Sequence, residues 1–182
     1  MVQIGGNAIM VRTSLIFGSI SGIVIITGIL LTLLLPNAHG SVWLGYLIMI
    51  VALSMILFGV KRYRDNERGG VIKFLPALGL GLMIAIVAGV IYVLVWEIYL
   101  FLTHYTFMDN YTAAILAQKK AAGVSGAALQ AEITQLNAMK VQYANPLIRM
   151  GMTFIEIFPV GVLIALISAA LLRNPKVLPA RG

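Results

Sequence analysis

Four stretches of this chain are each long and apolar enough to cross a bilayer: Leu15 to Leu35, Val42 to Val60, Phe74 to Leu102 and Met150 to Leu172. About 20 helical residues span a hydrocarbon core, and a lone apolar segment in lipid must satisfy its backbone hydrogen bonds internally, which makes it a helix. The chain therefore reads as an all-α membrane protein with four transmembrane helices, a single integral membrane domain over residues 1–182. Hydrophobic residues make up 60% of it and charged residues 10%, a balance outside that of soluble domains. A cleaved signal peptide accounts poorly for the first run. Its apolar core exceeds the usual length of about 7 to 15 residues, and Pro36 sits awkwardly in the only cleavage-like site, Pro36-Asn37-Ala38.

A net charge of +7 raises the question of nucleic acid, and the placement of the cations answers it. Arg12 precedes the first span, Lys61, Arg62, Arg64, Arg68 and Lys73 lie between the second and third, and Arg173, Lys176 and Arg181 follow the fourth. Those residues share one side of the membrane, and only Lys119, Lys120, Lys140 and Arg149 lie opposite. The asymmetry predicts cytoplasmic N- and C-termini in a multi-pass inner-membrane protein. Lys61, Arg62, Arg64, Arg68 and Lys73 are expected to contact acidic headgroups, and no nucleic-acid partner is implied. The absence of cysteine excludes disulfides, thiol nucleophiles and cysteine-based zinc sites.

Spans one and two are joined by a tight turn at Pro36 to Gly40, which carries His39, most simply a solvated loop histidine. Spans two and three are joined by Lys61 to Lys73, where Gly69-Gly70 breaks the helix and Pro76 suits the first turn of the next. The one sizeable polar segment, His104 to Asn145, is expected to form an extracytoplasmic helical hairpin. Asp109 can cap its first helix, Gly123 ends that helix and Ser125 can cap the second. In the second helix Leu129, Ile133, Leu136, Met139 and Tyr143 make an apolar face that needs cover. Lys119-Lys120 reads as a solvated face, and Asn145-Pro146 opens span four.

Small residues recur every fourth position in span three (Ala77, Gly81, Ala85, Gly89) and in span four (Gly161, Ala165, Ala169), with Ser14, Gly18 and Gly22 in span one. Such stripes let helix backbones approach closely. Spans three and four are antiparallel, so their stripes fall at one depth and are predicted to face each other. The alternative is that glycine and alanine are simply common in membrane helices.

The runs KRYRDNERGGVIKF (Lys61 to Phe74), VIYVLVWEIY (Val90 to Tyr99) and YANPLIRMGMTFIEIFPVG (Tyr143 to Gly161) resemble a bacterial membrane family known as domain of unknown function 4199. The likeness is carried by RYRD, Gly69-Gly70, Trp96 late in span three, Asn145-Pro146 and the TFxExxPxG pattern from Thr153 to Gly161, and it extends from span one to span four. It implies a small inner-membrane protein of Gram-negative bacteria with about four spans, and it brings no established activity with it.

The residues that can carry chemistry gather near the outer ends of spans three and four. Glu97 and Glu156 fall at similar depth on antiparallel helices. A charge at the bilayer centre costs about 3 kcal/mol and less near the interface, so each carboxylate should face the bundle or a partner. His104, Arg149 and Thr153 complete a candidate polar cluster, with Tyr99 adding a phenol. Four readings compete. The first is structural: Glu97 lies in an aromatic belt with Tyr92, Trp96 and Tyr99, while Glu156 pairs with Arg149 or the hairpin. The others are a proton or cation site between the carboxylates, a pocket for a lipid headgroup or small solute under the hairpin, and a metal site made by Glu97, His104 and Glu156. The metal reading lacks any HExxH-like spacing. Pro159 cannot donate to the Ile155 carbonyl, so a kink is expected beside Glu156, or a proline that merely shapes the bundle.

Neither a catalytic motif nor a cofactor motif is present, and the expected role is a non-enzymatic accessory or structural component that contacts lipid and another membrane protein or its own copies. The alternative is a small transporter or channel-like protein with a proton, cation or headgroup site at Glu97 and Glu156.

Overall fold

A computed structural model describes residues 2–34 and 42–180, and the regular structure among them is entirely α-helical. The turn at Pro36 to Gly40, with His39, and the terminal Arg181 lie outside the described residues. The helices are α1 (Val2–Leu34), α2 (Val42–Leu53), α3 (Met55–Glu67), α4 (Phe74–Leu102), α5 (Phe107–Ala121), α6 (Gly126–Ala144) and α7 (Pro146–Leu172). Four helical stretches among them are long and apolar enough to cross a membrane: Gly6–Thr32, Trp43–Glu67, Phe74–Leu102 and Pro146–Leu172. The chain is thus a multi-pass membrane protein.

Two boundaries differ from the sequence expectation. The first helix begins at Val2, well before Leu15, because its polar leading residues carry no helix breaker beyond Gly5-Gly6. The second span consists of α2 and α3, interrupted at Ser54, whose hydroxyl donates to the Val51 carbonyl at 2.6 Å. Such a back-bond competes with the helical ladder locally. It then runs past the apolar stretch to Glu67, up to the break expected at Gly69-Gly70, since Lys61 to Glu67 are all tolerated in a helix and Lys61 pairs with Asp65 one turn on. Gly69 (φ 60°) and Gly70 (φ 83°) end it, with the Gly70 amide donating back to the Arg64 carbonyl at 3.0 Å. Left-handed φ at these two positions is what glycine tolerates and other residues resist.

The chain packs as two compact units, one comprising residues 1–94 and 154–182 and the other residues 95–153. In the first unit the helices meet where side chains are missing. A methyl group added at Gly18 would come within 2.5 Å of the Val87 β-carbon, and one at Gly22 within 2.9 Å of the Ala88 carbonyl, so α1 lies directly on α4. A methyl group at Gly81 would come within 2.9 Å of the Ala165 β-carbon, and one at Gly161 within 2.8 Å of the Ala85 β-carbon. The stripes of α4 and α7 thus interlock, with Ala77 and Ala169 fully buried and Gly89 covered by the Phe154 ring. Lipid is as apolar as these side chains, so the contact is held by close van der Waals packing instead of by escape from water.

The same unit holds a buried cation. Arg64 has no exposed surface; it donates from Nη1 to the Val177 carbonyl at 2.9 Å, from Nη2 to the Leu178 carbonyl, and from Nε to Asp65 at 2.7 Å. The headgroup role expected for Arg64 is therefore corrected. A guanidinium presents five donors, and the residues after α7 provide carbonyls that need them. Arg62, Arg68 and Lys73 remain exposed, Arg68 bonding the Tyr63 hydroxyl, and Lys61 is partly exposed beside Asp65.

The second unit contains the end of α4, the α5–α6 hairpin and the start of α7. Gly123 (φ 85°) turns the hairpin, and Lys119 bridges to Glu132 at 2.6 Å across it. Asp109 does not cap α5, because that helix starts earlier, at Phe107, and places Asp109 inside its first turn, where it pairs with Lys140 of α6. Ser125 occupies the cap position of α6 without a side-chain capping bond. Asn145 caps α7, its Oδ1 accepting from the Leu147 amide at 3.0 Å.

Candidate functional site

Within the second unit the end of α4 and the start of α7 bring two opposite charges together. Arg149 donates from Nε to Glu97 Oε1 at 2.7 Å and from Nη2 to Oε2 at 2.5 Å, a bidentate pair between side chains only 6% and 15% exposed. The planar guanidinium matches the two carboxylate oxygens, which makes this one of the stronger ion-pair geometries. Arg149 Nη1 also donates to the Tyr143 carbonyl at 3.1 Å. The rings of Tyr105 and Tyr143 stand 5.2 and 5.7 Å from the guanidinium carbon. Tyr105 follows His104 in an unusual pair of left-handed residues (φ 52° and 57°), which closes α4 through a bond from the Tyr105 amide to the Leu100 carbonyl at 2.8 Å.

Aromatic packing fixes the surroundings. Trp96 is buried, meets the Phe107 ring edge-on at 4.9 Å, and donates from Nε1 to the Tyr143 hydroxyl at 2.8 Å. Tyr143 thus ties α6 to α4 through its hydroxyl and receives Arg149 through its carbonyl. A cavity of about 420 Å³ opens beside the pair, lined by Leu100, Met108, Ala144 and Pro146 and by the polar Tyr105, Asp109, Lys140, Tyr143 and Arg149.

The other candidates of the polar cluster stand apart from this pair. Arg149 is taken by Glu97, which corrects the expectation that it pairs with Glu156. Thr153 is buried, but its hydroxyl donates to the Arg149 carbonyl one turn back at 2.9 Å and so addresses backbone rather than a carboxylate. His104 is exposed, and its imidazole makes no hydrogen bond or ion pair among the described residues. No group of three acidic or histidine side chains suited to a metal ion occurs among the described residues. Glu156 belongs to the first unit, is exposed, and has no partner among the described residues. Helix α7 runs unbroken through Pro159. Tyr105, Tyr143 and the Asp109–Lys140 pair were not singled out from the sequence as site residues. In the sequence Tyr143 is legible only as one member of the apolar face of α6 and Asp109 only as a helix cap, while Tyr105 and Lys140 carry no signal of a site.

A family model described as protein of unknown function (DUF4199) matches residues 15–174. The chain belongs to this family. No curated protein and no solved structure matches the chain. The matched region takes in three of the four candidate spans in full, the first from Leu15 onward, the hairpin, and both partners of the Glu97–Arg149 pair. Family membership therefore covers the site but assigns it no reaction.

Proposed function

We propose that this chain is a non-enzymatic accessory component of the bacterial inner membrane, with cytoplasmic termini and an extracytoplasmic hairpin, that binds another membrane protein sideways through the face of α7 carrying Glu156. The observation that carries this reading is the contrast between the two intramembrane carboxylates. Glu97 is neutralised in full by Arg149, whereas Glu156 is exposed and without a partner among the described residues.

Glu156 lies about 9 Å past Met150, where the apolar run of the span begins, at 1.5 Å per residue. Ile155, Pro159 and Leu163 are exposed on the same side of the helix, so the carboxylate sits in an otherwise apolar stripe. Left against lipid it costs up to about 3 kcal/mol, the value at the bilayer centre, which a basic or hydroxyl donor in a neighbouring span offsets. Pro159 supplies no N–H to the Ile155 carbonyl, so a second acceptor lies one residue away. A second copy of this chain is the poorer match. Its cation at that end of span four, Arg149, is already bound, and its remaining basic residues flank the spans.

The test places a photo-crosslinking residue at Leu163 in cells. Adducts to one other membrane protein, reduced about tenfold or more in Glu156→Ala, are expected; adducts confined to lipid would sink the reading. The transport alternative retains one supporting feature, the same lone carboxylate beside Pro159. Proton or cation flux in proteoliposomes that disappears in Glu156→Gln while the fold persists would favour it instead.

A further inference from the structure

We propose that the cavity beside Arg149 is a binding site for a zwitterionic phospholipid headgroup that joins a phosphate to a primary ammonium, as in ethanolamine phospholipids. This inference concerns the second unit alone and does not depend on the lateral-partner reading.

Location comes first. Leu100 lies in the last turn of α4 and Pro146 is the first residue of α7, so the cavity opens where two membrane-spanning helices end. The ends of spans mark the headgroup layer, and the aromatic side chains Tyr105 and Tyr143 in the lining are the type enriched there. Apolar lining from Leu100, Met108 and Pro146 suits the glyceride end of a lipid. A volume of about 420 Å³ falls within the range of small-molecule sites.

Charge then selects the headgroup. Arg149 and Lys140 are balanced by Glu97 and Asp109, so a net anion or a net cation would leave an uncompensated charge at the site. A zwitterion leaves none. The donors are also available: a guanidinium has five N–H groups, and Arg149 uses three of them, two on Glu97 and one on the Tyr143 carbonyl. Those that remain are offered to a phosphate, with Lys140 as the second donor. Lys140 and Asp109 are paired with each other in the cavity lining, with side chains 39% and 63% exposed. An ion pair this exposed has little net worth, so exchanging partners costs little: Lys140 turns to the phosphate and Asp109 receives the ammonium. Asp109 favours a primary ammonium over a quaternary one because a carboxylate bonds N–H groups that choline lacks.

The full-length protein, reconstituted in phosphatidylcholine nanodiscs with graded phosphatidylethanolamine or phosphatidylglycerol, is released into the gas phase and its retained lipids are weighed. Phosphatidylethanolamine should be enriched about tenfold over phosphatidylcholine at equal supply. The enrichment should fall to near parity in both Lys140→Ala and Asp109→Asn, and persist in Lys119→Ala, which breaks an ion pair outside the cavity. Equal retention of all three lipids, preference for phosphatidylglycerol, or unchanged enrichment in both cavity variants would overturn the proposal. Free phosphoethanolamine that displaces the lipid at equal concentration would overturn the lipid assignment in favour of a soluble zwitterion. Circular dichroism of each variant establishes that the comparison is between folded proteins.

Discussion

Arg149 holds Glu97 with two nearly matched bonds, Nε to Oε1 at 2.7 Å and Nη2 to Oε2 at 2.5 Å, and in doing so joins the start of α7 to the end of α4. Each residue alone would be a poorly solvated charge near the end of a membrane span. Together they form a neutral brace, which is why the pair reads as architecture rather than as an ion-exchange site.

Removing one partner should therefore cost more than removing both. Glu97→Gln is expected to destabilise the protein by about 3 kcal/mol, because it strands the Arg149 guanidinium. The double variant Glu97→Gln with Arg149→Met should recover part of that loss. Thermal unfolding in detergent across the four members of the cycle measures the coupling, and additive losses would mean that the pair contributes nothing.

Close packing of α4 on α7 predicts a compensating pair of substitutions. Gly161→Ala normally favours a helix by about 1 kcal/mol. Here the new methyl meets the Ala85 β-carbon at 2.8 Å, so a net loss of about 1 to 3 kcal/mol is expected. Ala85→Gly in the same chain removes that atom, and the next nearest atoms stand 3.7 and 3.9 Å away. Melting temperatures should drop in the single variant and recover in the double one.

Arg64 predicts how the C-terminal segment is tied down. Its guanidinium serves the carbonyls of Val177 and Leu178, and Leu178 holds a left-handed backbone (φ 47°) that its side chain does not favour. Arg64→Met should abolish bonds worth about 3 kcal/mol together. Hydrogen exchange over residues 174–180 should accelerate on that change while α4 keeps its protection.

Orientation has its own test. A phosphatase reporter inserted next to Ser125, in the α5–α6 turn, should be active only if the hairpin is extracytoplasmic, and a cytoplasmic reporter at the same place should be silent. The expectation follows from the basic residues clustered on the side opposite the hairpin.

Much of this architecture could be read from residues alone. The four spans, the hairpin turning near Gly123 and the Asn145-Pro146 start of α7 follow from hydropathy, φ preference and capping, which are properties of a residue and its near neighbours. The end of α3 at Gly69-Gly70 is local as well: charged residues are good helix formers, so the helix outlasts the apolar run and stops where glycine allows a left-handed φ.

The partnerships could not be read that way. Sequence set Glu97 and Glu156 at similar depth, with Arg149 about two turns nearer the end of its span, and depth depends only on position along a helix. Which of them touch depends on helix rotation and on the distance between axes, and those are decided by packing of whole helix faces. Tertiary structure gave Arg149 to Glu97, turned Thr153 onto backbone, left Glu156 exposed, buried Arg64 under carbonyls more than 110 residues away in the chain, and opened a cavity between residues that share no motif. A side chain's type and depth are local facts, whereas its partner is a property of the assembled helices.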